Sequence, residues 1–157
     1  MKTPYTMRTW FGLSVLCLGA GTMVLNGASL SPLLQAISEE FATSDATTGQ
    51  VASLGSLCGV VAALAATPWM DQWSRRTWLR LLGTIVLVGV VIAAFAPTFE
   101  WFVVGRLIGA AGGSLIMANA MTGARELFHD SVWRNRAIGF IVTATTASFT
   151  FGLPVIT

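Results

Sequence analysis

The chain has 157 residues, of which 54% are hydrophobic and 10% are charged, with a formal net charge of +2. A soluble domain carries about 25% charged residues, so this composition excludes an ordinary water-soluble fold and indicates a membrane protein. The small positive charge comes from arginines in the loops, which indicate membrane topology and not a nucleic-acid-binding surface.

Five apolar stretches follow one another, each close to the roughly 20 residues that a helix needs to cross a bilayer. In chain order they cover approximately residues 10–30, 50–70, 78–96, 101–121 and 137–157. The first is about twice as long as the apolar core of a secretory signal peptide, which disfavours a cleaved leader. The sequence therefore predicts an all-α integral membrane protein with about five transmembrane helices.

The basic residues at or near the ends of the spans predict the orientation of these helices. They flank the start of the first span and the connections after the second and fourth spans: Lys2, Arg8, Arg75, Arg76, Arg80, Arg125, Arg134 and Arg136. The charged residues of the connections after the first and third spans are all acidic: Glu39, Glu40, Asp45 and Glu100. The positive-inside rule then predicts a multi-pass membrane protein with a cytoplasmic N-terminus.

Local signals mark two of the connections. Ser44 or Asp45 is placed to cap the second helix, after a first external loop that contains residues 38–45. Pro97 and Thr98 predict a tight turn between the third and fourth spans.

Small residues recur every four positions in two spans, a spacing that lets helix backbones approach closely in a membrane. The two series are Gly55, Gly59 and Ala63, and Gly105, Gly109 and Gly113. They predict a tightly packed bundle. Cys17 and Cys58 also lie within spans, where we expect them to act as small packing residues.

Polar residues inside the spans are the candidate functional residues. Arg106 lies about 9 Å into its helix, and an ionisable group at such depth usually faces a cavity or a partner. Alternatively, its long side chain reaches back to the external headgroups. Asn26 and Asn119 are candidates to line the same cavity, or else to form hydrogen bonds between helices. No Asp or Glu lies within a predicted span, although proton pumps commonly use membrane carboxylates.

The connection after the second span resembles a signature of the major facilitator superfamily, Gly-x-x-x-Asp-Arg/Lys-x-Gly-Arg-Arg/Lys. Asp71, Arg75 and Arg76 match this signature. The departures are at two glycines and at the first basic position, which are here Thr67, Ser74 and Gln72. The resemblance implies a cytoplasmic gating motif, in which Asp71 accepts hydrogen bonds from nearby arginines or from a helix N-terminus in one transport state.

Further motifs of the same family follow in the expected order. The fourth span resembles the Arg-x-x-x-Gly-x-Gly motif, with Arg106 and Gly112 matching and Ala110 in place of a glycine. Residues 49–50 are similar to the start of helix two in many members, and residues 134–139 resemble the start of helix five. Together these motifs extend the resemblance over nearly the whole chain.

Gly152 and Pro154 in the fifth span are similar to the Gly-x-Pro of arabinose- and sugar-efflux proton antiporters, whereas drug-efflux members more often have Gly-Pro. The family fold implies two six-helix bundles around a central path. This chain would supply most of the N-terminal bundle, and a C-terminal helical bundle absent from it would be its partner. The other expected partners are the lipid bilayer, a small-molecule solute and protons.

The resemblance implies a secondary active transporter that exports a small organic solute in exchange for protons. One alternative is solute uptake by symport on the same scaffold, and another is a truncated membrane protein that binds partner helices without transporting. The sequence has no metal-ligand cluster, nucleophile–base pair or phosphate-binding loop, so we expect no enzymatic activity and no cofactor. Fold alone does not fix the substrate.

Overall fold

The computed structural model describes residues 5–70, 72 and 74–156, with side chains for all of these except residues 67, 70, 75 and 152–156. Over this part of the chain the fold is all-helical, as predicted. In chain order, its six helices are α1 (Met7–Ala28), α2 (Leu30–Glu40), α3 (Asp45–Met70), α4 (Arg75–Ala94), α5 (Phe99–Leu127) and α6 (Ser131–Ile156).

The predicted spans coincide with α1, α3, α4, α5 and α6. Among the described residues, four segments are long and apolar enough to cross a membrane: Met7–Ala28, Asp45–Ala66, Arg76–Ala94 and Phe99–Leu127. The fifth predicted span lies in α6, a helix of 26 residues. Large apolar side chains point away from the bundle, with Leu18 and Leu64 each 71% exposed. Such outward-facing apolar surface is what lipid covers in a membrane protein.

The loop predicted after the first span is shorter than expected, because residues 30–40 form α2. Ser29 keeps helical dihedral angles, and its N–H still bonds the carbonyl of Leu25 at 2.9 Å. The interruption coincides with Pro32, which lacks the N–H that would bond the carbonyl of Ala28. Leu30 is 4% exposed and packs in a cluster with side chains of α3 and α5, and this burial stabilises the additional helix.

Hydrogen bonds at the first turns of α3 and α4 show how these two helices begin. The hydroxyl of Ser44 accepts a hydrogen bond from the N–H of Thr47 at 3.2 Å, and it therefore caps α3. Ser74 caps α4 in the same way, accepting from the N–H of Thr77 at 3.3 Å. Residues 95–98 form the tight connection between α4 and α5.

Helix α5 is the centre of the bundle, since it contacts α1, α3, α4 and α6. Buried residues occur along it from Phe102 to Ala124. Three apolar clusters surround it: one with α1 and α6, one with α3 and α4, and one with α2 and α3. The polar residues of α5 are consequently held against several other helices at once.

Helices α4 and α5 meet at backbone distance along three glycines, Gly89, Gly105 and Gly112, which we call the glycine seam. A Cβ atom on Gly105 would lie 2.5 Å from the backbone nitrogen of Ala93 and 2.7 Å from the carbonyl oxygen of Gly89. A Cβ on Gly112 would lie 2.8 Å from the side chain of Val86. Only glycine allows this approach, which maximises van der Waals contact between the helices.

The two predicted small-residue series do pack against neighbouring helices, but not all on the same one. Gly55 of α3 faces Ala110 of α5, and Gly59 faces Ser114. Gly113, predicted as the third member of the α5 series, faces Met23 of α1 instead of α4. The expected tight packing is therefore present, with α5 using different glycines for different partners.

Aromatic side chains gather at both ends of the bundle. At the end where the chain begins, edge-to-face contacts join Tyr5, Trp10, Phe128 and Trp133. At the opposite end, ring contacts join Phe41, Phe99 and Phe102. Such ring contacts contribute to the packing between helices at each end.

Candidate functional site

Arg106 is half-buried in α5 and reaches across to the end of α1. Its Nη1 atom donates to the main-chain carbonyl oxygen of Asn26 at 3.1 Å and to the side-chain Oδ1 of the same residue at 3.2 Å. The two residues are 80 positions apart in the sequence. The structure thus brings together two of the three cavity candidates predicted from the sequence, through hydrogen bonds between helices.

The end of α1 suits a cation for electrostatic reasons. The carbonyl of Asn26 lies in the last turn of α1, where the helix dipole is negative and the backbone carbonyls need partners from outside the helix. This carbonyl also accepts a hydrogen bond from the hydroxyl of Ser29 at 2.9 Å. The end of α1 therefore supplies one acceptor for the guanidinium of Arg106, and the side chain of Asn26 supplies the other.

Three cavities meet at Arg106. The largest, of about 480 Å³, lies between α3 and α5, and the others have volumes of about 290 and 250 Å³. Arg106 lines all three, and Asn26 lines the two smaller ones. The side chain of Arg106 therefore borders all three cavities, each of which is partly open to the surface of the bundle.

The wall of the largest cavity is formed mostly by small residues of α3 and α5. Besides Arg106, its polar side chains are Ser56 and Ser114. The hydroxyl of Ser56 donates to the carbonyl of Ala52 in its own helix at 3.0 Å. The hydroxyl of Ser114 lies 2.9 Å from two carbonyl oxygens to which it can donate, that of Gly59 on α3 and that of Ala111 in its own helix. Ser114 was not predicted as a site residue; a polar side chain about two turns after Arg106 in an apolar span was the available signal.

Asn119, the third cavity candidate, occupies a different place. It is 3% exposed, and its Nδ2 atom donates to the carbonyl of Leu115 at 3.0 Å. It follows Arg106 by 13 residues, which corresponds to about 20 Å along α5. It does not line any of the three cavities around Arg106.

The predicted gating and helix-five motifs are only partly within the described residues. Asp71 lies outside them, and so does the side chain of Arg75. Arg76 is in the first turn of α4 and is exposed. Gly152 and Pro154 belong to helix α6, of which the structure describes only the backbone at these two positions.

A bundle of apolar helices around an intramembrane arginine and connected cavities is the architecture of a multi-pass membrane protein with a polar site in its interior. The chain belongs to the major facilitator superfamily, because the model of this family matches residues 16–157. No solved structure matches the chain significantly.

Three curated proteins are among its relatives. The multidrug efflux pump LfrA of Mycolicibacterium smegmatis is 29% identical over 154 residues, covering 96% of this chain and 31% of the pump. The uncharacterized MFS-type transporter YbcL of Bacillus subtilis is 29% identical over 128 residues, covering 80% of this chain and 32% of that protein. Inositol transporter 4 of Arabidopsis thaliana is 32% identical over 111 residues, or 68% of this chain and 18% of the transporter.

The chain spans less than a third of the length of each of these relatives. Family membership points to a transporter and not to an enzyme, and the membrane-crossing helices make it a multi-pass membrane protein.

Proposed function

We propose that the full-length gene product is a secondary active transporter that exports a small organic solute in exchange for protons. In this proposal the chain forms most of the N-terminal six-helix bundle, and a C-terminal bundle supplies the other wall of the transport path. The observation that carries the proposal is Arg106, which is held by the interrupted end of α1 where three cavities meet. Ionisable side chains in such positions mark substrate and ion pathways.

The direction of transport is proposed from the relatives. LfrA, whose match covers almost the entire chain, is named as a multidrug efflux pump, which supports export. The relationship to a transporter named for inositol supports a second candidate, uptake of a solute by proton symport. No carboxylate lies within the predicted spans. A proton-carrying group would therefore belong to another part of the gene product, where Arg106 would bias its protonation.

Solute accumulation in whole cells tests this proposal. The full-length gene product is expressed in a bacterial host that lacks its own efflux pumps, and the uptake of a panel of fluorescent organic solutes is compared with vector-only cells. We expect lower accumulation of at least one solute, reversed by a protonophore. Higher accumulation would instead establish uptake, and equal accumulation of every solute would refute transport of this class of compound.

We also propose that the protein resides in a bacterial-type inner membrane with its N-terminus in the cytoplasm, as the loop charges predict. Single cysteines at Ala42 and at Ser131, in a background lacking Cys17 and Cys58, report the two sides. Both positions are exposed and lie at opposite ends of the bundle. A membrane-impermeant thiol reagent added to intact cells should label Ala42→Cys and leave Ser131→Cys unlabelled, and labelling of both would contradict the topology.

The gating motif has a separate test. We propose that Asp71, with Arg75 and Arg76, stabilises one of the two access states on the cytoplasmic side. Asp71→Asn removes the charge with almost no change of size, so it should slow transport while the amount of inserted protein stays the same. An unchanged transport rate at equal expression would show that the motif only determines topology.

A further inference from the structure

We propose that the largest cavity binds a small organic anion whose acidic group pairs with the guanidinium of Arg106. This inference rests on the proposed transport function and names the chemical class of its substrate. Three independent features of the described residues support it: the charge of the cavity wall, the hydrogen-bond donors that remain available, and the size and polarity of the space.

The first feature is charge. Arg106 is the one charged residue among those that line the three cavities in the described part of the chain. The described acidic residues lie near the ends of helices: Glu39, Glu40, Asp45, Glu100, Glu126 and Asp130. A counter-charge stabilises a half-buried charge, and the wall formed by the described residues contains none. An anionic solute would supply it, whereas a cationic solute would meet a like charge.

The second feature is the number of free donors on Arg106. A guanidinium has five N–H groups, and in the described residues only those on Nη1 have acceptors, both belonging to Asn26. The groups on Nε and Nη2 have no acceptor among these residues. They form one edge of the planar fork, which is the geometry that binds a carboxylate through two parallel hydrogen bonds.

The third feature is the rest of the wall. The hydroxyl hydrogens of Ser56 and Ser114 are already donated to main-chain carbonyls, so Arg106 supplies the free side-chain donors of this cavity. The remaining lining residues are glycine, alanine and valine. A volume of about 480 Å³ falls within the range of small-molecule sites. The fitting ligand is therefore compact and apolar, with an acidic group at one end.

Binding to the purified full-length gene product tests this inference without requiring transport. Three probes share one aromatic body and differ in charge: 2-naphthoate, 2-naphthamide and 2-naphthyltrimethylammonium. Their affinities are measured by calorimetry in nanodiscs of zwitterionic lipid. We expect 2-naphthoate to bind about tenfold more tightly than the other two, because hydrogen bonds to a charged group are the strong ones.

Variants of the protein test whether Arg106 causes the preference for 2-naphthoate. Arg106→Ala should remove the preference for 2-naphthoate, and Arg106→Lys should retain part of it, since lysine keeps the charge without the planar fork. Arg80→Ala is the matched control, because it removes the same charge from an exposed position in α4. Thermal denaturation of each variant confirms that it is folded.

Two results would overturn the inference: no binding of 2-naphthoate to the folded wild type, or equal binding to the wild type and to Arg106→Ala. A preference for the trimethylammonium probe would overturn it as well. Arg106-dependent binding of 2-naphthoate without any transport would leave the inference standing and refute the proposed transport function. The two proposals can therefore fail separately.

Discussion

On one face of α5, Gly105 and Gly112 lie against α4 with no room for a methyl group, whereas on another face Arg106, Ala110 and Ser114 border open cavity. The first face gains its energy from close backbone contact. The second leaves space unfilled and keeps a charge inside the bundle, both of which oppose stability. Features that oppose stability are often retained at functional sites. The comparison therefore separates the face of α5 that maintains the fold from the face that is available for function.

The same helix can carry both faces because its side chains point in all directions around the axis. Close backbone contact along the glycine seam restrains α4 against α5, whereas Arg106 contacts α1 through its own hydrogen bonds to Asn26. Substitutions on the seam should therefore reduce the amount of folded protein, and transport only as a consequence. Substitutions on the cavity face should reduce transport in protein that remains folded.

The largest effect is expected on the seam. Gly89→Ala places a Cβ atom 2.6 Å from the backbone nitrogen of Gly109 and 2.8 Å from the carbonyl oxygen of Gly105. Backbone atoms cannot move aside as a side chain can, so α4 and α5 must separate, at a cost of about 3 kcal/mol. Fluorescence-detected size-exclusion chromatography after heating should show a clear loss of folded protein.

Gly83→Ala is the control for this substitution, because it lies in the same helix and a Cβ there meets nothing within 4 Å. It should be neutral or stabilise the helix by up to about 1 kcal/mol. Equal thermal stability of Gly83→Ala and Gly89→Ala would show that the seam does not hold the helices together.

A smaller effect on folding, with a large effect on transport, is expected on the cavity face. Arg106→Ala removes a buried charge, which favours membrane insertion, so the amount of folded protein should be close to that of the wild type. Its transport rate should fall at least about tenfold, the factor associated with one lost charged hydrogen bond. The transport rate of Arg106→Lys should lie between those of the wild type and Arg106→Ala.

Efflux or uptake assays at matched expression measure this prediction, with Arg80→Ala as the control for loss of one arginine. Wild-type rates in Arg106→Ala would end the functional claim for this residue. They would also support the alternative that the side chain merely extends toward the headgroups, despite its hydrogen bonds to Asn26.

The spans were predictable from the sequence, because a run of about 20 apolar residues matches the thickness of the hydrocarbon core of a bilayer. Helix α2 was not, since it has only 11 residues and its apolar residues are interspersed with polar ones. The predicted small-residue series of α5 does not include Gly112, and the reason is geometric. Its spacing of seven residues from Gly105 returns to the same helix face, whereas the spacing of eight to Gly113 turns away by about 80°.

The candidate site was predictable as far as chemistry is visible in a sequence. A charged residue within an apolar span is visible in the sequence, and Arg106 was therefore predicted as a candidate. The two asparagines are chemically equal, and only the packing of α1 on α5 decides that Asn26 meets the guanidinium while Asn119 lies elsewhere in the core. Pairings between positions 80 residues apart depend on tertiary structure, which no local pattern encodes.

The smallest effect concerns the hydrogen bond that crosses from the cavity face to α3. Ser114→Ala removes the donor to the carbonyl of Gly59, and hydrogen bonds between membrane helices contribute on average about 0.6 kcal/mol. Ser56→Ala is the matched control, because its hydroxyl bonds within its own helix and joins no two helices. Unfolding in mixed detergent should show a reduced free energy for Ser114→Ala and almost none lost for Ser56→Ala. Equal losses would mean that contact between Gly59 and Ser114, and not their hydrogen bond, holds α3 against the cavity face.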